Sequence, residues 1–347
     1  MIELEQERSI VAAELAEQDV DMPNDDPLQC KVPLNLKATF YPLGFSVEIA
    51  TNSQEVLDAA AESWGGMRHR YMRPTLRLYV GVRDSGLVAC PPAPVVRAQR
   101  HLLSIIADSH NHALCDLREG FAYMWVNRGS IRHRNYLRYH FLEAPTLVLI
   151  STLYVVPIHA ACVSRYGCGM LLCGPSGMGK STLAYACARA GWTYTTDDGS
   201  QLLLDAGRAY FVGNSRQFRF RPSAKTLFPE LHGRSLTPRA QGKPSIEVPV
   251  SELPSIVAAD EAAAHCAIFL NRQPTSTAEL RPFSKDIAMD YFRESVDVFP
   301  PEAISQLQRD ALEYLSTIQC YELRYSDLPQ ALDQLDLLAR NCAQSLT

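Results

Sequence analysis

Short β-rich runs and one amphipathic stretch pattern the chain from residue 31 to 140. Thr39-Phe40-Tyr41, Phe45–Ala50, Leu76–Val82 and Phe121–Val126 carry the β-branched and aromatic residues of strands. Pro42-Leu43-Gly44 is a turn, and Pro91 to Pro94 mark a loop. Ser53–Trp64 places apolar residues on one helical face behind an Asn52 or Ser53 N-cap. This mixture predicts an α+β module.

A tighter pattern follows. Residues 141–153 predict a helix and Val155–Val163 an apolar strand, with a hairpin around Arg165-Tyr166-Gly167 leading into a second buried strand, Gly169–Cys173. Thr182–Ala190 is rich in helix formers and stops at Gly191, a natural C-cap. Trp192–Thr196 is the next strand, and Gln201–Leu204 and Ala209–Gly213 pair around Asp205-Ala206-Gly207. Residues 216–243, rich in Arg, Pro, Gly and Ser, read as a mobile basic loop. Ile246–Val250, Ala267–Leu270 and Cys320–Tyr325 are strands, with helices near 302–316 and 327–341.

Between the second buried strand and its helix stands Gly174-Pro175-Ser176-Gly177-Met178-Gly179-Lys180-Ser181, followed by Thr182. It satisfies the pattern G-x-x-x-x-G-K-[ST], and strand, glycine loop, helix is the order that pattern requires. Glycines let the backbone curl so that successive N–H groups form an anion nest, and the helix N-terminus adds its dipole. Lys180 is then expected to reach the β- and γ-phosphates of ATP, and the Ser181 hydroxyl to hold Mg²⁺. Asp197-Asp198-Gly199 closes the next strand, where open α/β sheets place ligands. One acid can bind Mg²⁺ and the other accept a proton from an attacking hydroxyl, unless the triplet is a plain hairpin turn. His159, in the strand before the loop, is either a core histidine or a neighbour of the phosphates. The strand 267–270 ends in Asn271-Arg272 rather than in the acid an ordinary P-loop ATPase carries there, which favours Asp197 and Asp198.

Over residues 157–200 these elements resemble the catalytic domain of bacterial HPr kinase/phosphorylase. That family also runs from a His-bearing strand through G-x-S-G-x-G-K-S and a helix to a strand ending in Asp-Asp. The spacings, 21 residues from His159 to Lys180 and 17 from Lys180 to Asp197, are similar. The resemblance implies a P-loop kinase core of the HPr kinase/PEP carboxykinase-like type, Asp197 as proton acceptor, Asp198 as a metal or phosphate neighbour, and His159 as support for the acidic pair. It implies transfer of phosphate from ATP to a serine hydroxyl, usually on a protein. Ser215–Pro222 stands where the family carries its glycine- and arginine-rich signature, so the chain looks like a diverged relative. A basic residue beside the loop can stabilise the transferring phosphoryl group; Arg219, Arg239 and Lys243 are the candidates.

Composition narrows the rest. The 347 residues suggest two domains, and a hydrophobic share of 47% suggests ample core. Residues 1–30 hold nine acids against Arg8 alone, an acidic tail within a net charge of −5 that argues against a nucleic-acid partner. The domains are therefore a tail over 1–30, the α+β module over 31–140 and the catalytic domain over 141–347. The acidic N-terminus reads against a signal peptide, so none is expected, and the uncharged run 144–163 contains Pro145, Pro157 and His159, so no membrane span is expected. Ten cysteines without a C-x-x-C pair indicate reduced thiols and a cytoplasmic setting, and His110-Asn111-His112 lacks further metal ligands. The expected partners are a nucleotide and a protein or peptide acceptor. A small-molecule kinase, a non-catalytic ATP-binding regulator and a homo-oligomer stay open.

Overall fold

The computed structural model describes residues 32–84, 86, 88–237, 244–296 and 305–345. The tail over 1–30 and the basic candidates Arg239 and Lys243 lie outside them. The described residues form a mixed α/β fold with three sheets. The chain divides into two compact units after Leu149, inside the helix Ala144–Leu153; the boundary read from the sequence was 140/141.

The first unit is built on a seven-stranded sheet. In chain order its elements are β1 (Leu36–Phe40), β2 (Val47–Thr51), α1 (Gln54–Trp64), β3 (Leu76–Arg83), β4 (Val95–Gln99), β5 (Leu102–Asp108), β6 (Asn111–Asp116) and β7 (Phe121–Asn127). The sheet order is β1-β2-β3-β7-β6-β5-β4. Helix α1 joins the parallel strands β2 and β3 and buries Val56, Leu57, Ala59, Ala60 and Trp64. Strands β4 to β7 form an antiparallel meander. The hairpin β5–β6 was not anticipated, because Ile106 and Leu114 point to solvent and blur the alternation of period two.

The second unit holds a ten-stranded sheet. Its strands are β8 (Val156–Ile158), β9 (Ala160–Arg165), β10 (Cys168–Cys173), β11 (Thr193–Thr196), β12 (Ser200–Asp205), β13 (Arg208–Val212), β16 (Val257–Ala258), β17 (Glu261–Arg272), β18 (Glu279–Pro282) and β19 (Gln319–Tyr325). Helix α2 is Ala144–Leu153, preceded by a π-helical stretch over Leu137–Glu143. Helices α3 (Lys180–Arg189) and α6 (Leu328–Ser345) supply one core with Met170 and Leu172 of β10. Helices α4 (Lys285–Val296) and α5 (Gln306–Leu315) supply another with Leu171 and Cys173. A strand covered on both faces has no polar side, so Cys168–Cys173 is apolar throughout.

Two readings are corrected. The single strand expected over Val155–Val163 is broken at His159: β8 pairs with β12, while β9 pairs with β10 and β11. Both pieces are buried, so the apolar run carries no mark of the break. The basic loop expected from residue 216 begins instead as a strand, β14 (Gln217–Phe220), antiparallel to β15 (Ile246–Pro249). Phe218 and Phe220 are buried there against Tyr185, which ties the segment to α3.

Candidate active site

Parallel pairing of β10 with β17, and antiparallel pairing with β9, fix the strand from which the glycine loop springs. The loop needs backbone that only glycine adopts cheaply: φ is +144° at Gly174, +97° at Gly177 and +98° at Gly179. Gly179 is the N-cap of α3, and a Cβ there would lie 3.1 Å from the Tyr325 hydroxyl. The first-turn amides of α3 have no carbonyl within their own helix and open toward the loop.

Lys180 is only 6% exposed. Its ammonium donates to the Gly174 carbonyl at 2.6 Å and to the Pro175 carbonyl at 3.4 Å, and lies 3.1 Å from His159 Nε2. The other ring nitrogen, Nδ1, is 3.3 Å from Asp198 Oδ1. Burial, then the Lys180 charge, holds the imidazole below its usual range against the pull of Asp198. A neutral ring accepting at Nε2 and donating from Nδ1 satisfies both contacts. Burial likewise lowers the Lys180 ammonium, with Asp198 opposing.

The two aspartates face opposite ways. Asp197 is 5% exposed; its Oδ2 accepts the Arg219 amide at 2.7 Å and its Oδ1 lies 3.3 Å from the Tyr194 hydroxyl, which also reaches the Gln217 carbonyl at 2.8 Å. Burial pushes its carboxyl up to about 6, while the bond from the Arg219 amide pulls it down and the Asp198 charge raises it. Asp198 is half-exposed and lines the cleft. The hairpin-turn alternative for this triplet has no pairing behind it, since β11 pairs with β9 and β16, and β12 with β13 and β8.

The cleft brings together His159, Ser176, Gly177, Gly179, Lys180, Ser181, Thr182 and Asp198 with Arg219 and Arg221. Pro175 and Met178 belong to the loop but do not line the cleft. Ser181 Oγ donates to the Asp197 carbonyl at 3.2 Å. Arg219 pairs with Glu247 at 3.4 Å. Arg221, absent from the sequence-based candidates, donates to Ser176 Oγ at 2.7 Å. It stands in the same basic run as Arg219, and only the strand β14 distinguishes it. Ser245 also lines the cleft, and its buried hydroxyl has no hydrogen-bond partner among the described residues. Two tyrosines missed in the sequence touch the loop from beneath: Tyr291 at Gly174 and Tyr325 at Met178.

No family model and no curated protein matches the chain. Among solved structures, the HPr(Ser) kinase/phosphatase from Coxiella burnetii is a distant match at 13% identity and a TM-score of 0.32, covering 55% of this chain and 92% of that one. No helix among the described residues is long and apolar enough to cross a membrane.

Proposed function

We propose that the chain is a Mg-ATP-dependent phosphotransferase with a P-loop kinase core of the HPr-kinase-like type, acting on a serine or threonine hydroxyl of a protein or peptide. Lys180 carries this reading. It is a buried cation whose hydrogen-bond partners, two carbonyls and a neutral imidazole, are all uncharged. Burying a charge that no carboxylate contacts directly is costly, and an arriving phosphate reduces that cost. The glycine loop and the α3 N-terminus offer amides to the same anion.

The Ser181 hydroxyl and the Asp198 carboxylate are an oxygen-only pair at one cleft, a donor set that fits Mg²⁺ completed by water and substrate phosphate. Bound there, the ion would neutralise charge on the phosphate oxygens. Asp198 takes over the proton-accepting role that the resemblance assigns to Asp197, because Asp197 is buried with its Oδ2 holding the Arg219 amide. His159 orients Asp198 through Nδ1 and leaves its other oxygen for the acceptor hydroxyl. Arg221, at the loop's tip, is positioned to stabilise charge on the transferring group. Transfer then rests mainly on positioning and charge neutralisation.

The purified chain incubated with Mg-ATP and a cell extract is expected to yield a phosphorylated protein, located by mass spectrometry, and Lys180→Ala to abolish it. Phosphate appearing only on small molecules would overturn the acceptor. ATP binding without turnover would make the chain a regulator.

A further inference from the structure

The antiparallel ladder between β9 and β10 ends at the pair Ala160↔Cys173. The next rung would join His159 to Gly174. The Tyr291 hydroxyl stands in that place: it accepts the Gly174 amide at 3.2 Å and donates to the His159 carbonyl. A tyrosine hydroxyl has one hydrogen to give and lone pairs to receive, so it can bridge a strand N–H and a strand C=O that would otherwise bond each other. The ring is held in turn, edge-on to Phe269 at 5.4 Å and 81°, on helix α4.

We propose that Tyr291 is a positioning residue, a wedge that holds the sheet open by one rung where the site begins. Resting on the phosphotransferase reading, this deepens it: the wedge sets where the glycine loop leaves β10 and where His159 leaves the sheet to meet Lys180 and Asp198. Without the hydroxyl, the rung can close directly between Gly174 and His159. Closure would draw the His159 backbone toward Gly174 at the end of β10 and shift its ring off Lys180. Tyr325 is the contrasting support. Its hydroxyl reaches the Met178 carbonyl at 3.4 Å, at the far shoulder of the loop, and makes no bond to His159.

Tyr291→Phe and Tyr325→Phe in the full chain separate the two roles. The His159 side chain is placed by its NMR contacts with Lys180 at a fixed pH. Lys180 and Asp198 face the ring, and Tyr291 is bonded to its backbone carbonyl. In Tyr291→Phe the contacts with Lys180 are expected to be lost as the rung closes. In Tyr325→Phe they are expected to persist. Mg-ATP affinity, measured by calorimetry, is expected to fall about tenfold in Tyr291→Phe. A merely structural tyrosine would lower the melting temperature without moving His159 off Lys180. Unchanged His159–Lys180 contacts with unchanged affinity in folded Tyr291→Phe overturn the proposal. Wild-type protein that fails to bind Mg-ATP overturns the reading of the site instead, while the His159 contacts still test the wedge. If Tyr291→Phe does not fold, hydrogen exchange of the wild-type Gly174 amide decides: protection supports the wedge, and exchange as fast as that of Gly177 overturns it.

Discussion

Asp197 and Asp198 are neighbours in sequence with opposite surroundings. Asp198 faces the cleft beside His159, while Asp197 turns inward to Tyr194 and the Arg219 amide. The inward carboxyl has a folded-state pKa of about 6 against an ordinary 3.8. A raised carboxyl means that its contribution to stability is complete below pH ~4 and lost as pH rises through about 6. The interval corresponds to roughly 3 kcal/mol. An asparagine can still accept from Arg219 and can donate to Tyr194, whose own hydrogen reaches the Gln217 carbonyl at 2.8 Å. Asp197→Asn is therefore expected to match wild type near pH 4 and to exceed it by up to about 3 kcal/mol at pH 8. Urea unfolding at the two pH values measures this, and a variant less stable than wild type at pH 8 would contradict it. At this scale the loop, the acidic pair and His159 were legible, because their spacing is local. Which aspartate turns inward was not, because strand β14 supplies the deciding amide from 22 residues further on.

Strand β14 is where element and site meet. Its Phe218 is fully buried, stacked on Tyr194 with ring centroids 3.8 Å apart and edge-on to Tyr185 of α3. Its neighbours Arg219 and Arg221 line the cleft. Phe218→Ala is expected to cost about 3–5 kcal/mol through the cavity it leaves. It should also weaken any ligand that depends on the two arginines. Denaturant unfolding checks the first effect, and a loss below about 1 kcal/mol would mean that the segment is the loop its composition suggests. The basic residues and prolines concealed this strand, since period-two alternation spans only Gln217–Phe220. Helix α4 was hidden for a related reason: only Ala288, Phe292 and Val296 are buried along it, a stripe too thin to mark a helix. The central strand–loop–helix was legible because each piece is bounded by glycine or a turn, whereas β8 and β9 merged in the sequence because both are buried.

At the scale of the whole molecule, every residue of the cleft belongs to the second unit, and its supports come from distant parts of the chain. Tyr291 and Tyr325 lie 117 and 147 residues from the loop atoms they touch. Such contacts are made by the order of strands in the sheet and leave no local trace. Lys180, buried beside the glycine loop, is proposed to hold the phosphates of ATP. Calorimetric titration of the full chain with Mg-ATP, beside Lys180→Ala, tests it most directly. Saturable binding by the wild type is expected, with affinity lower by about 10- to 100-fold in the variant, the scale of a charge-assisted hydrogen bond. Equal affinities, or no binding by the wild type, would contradict it.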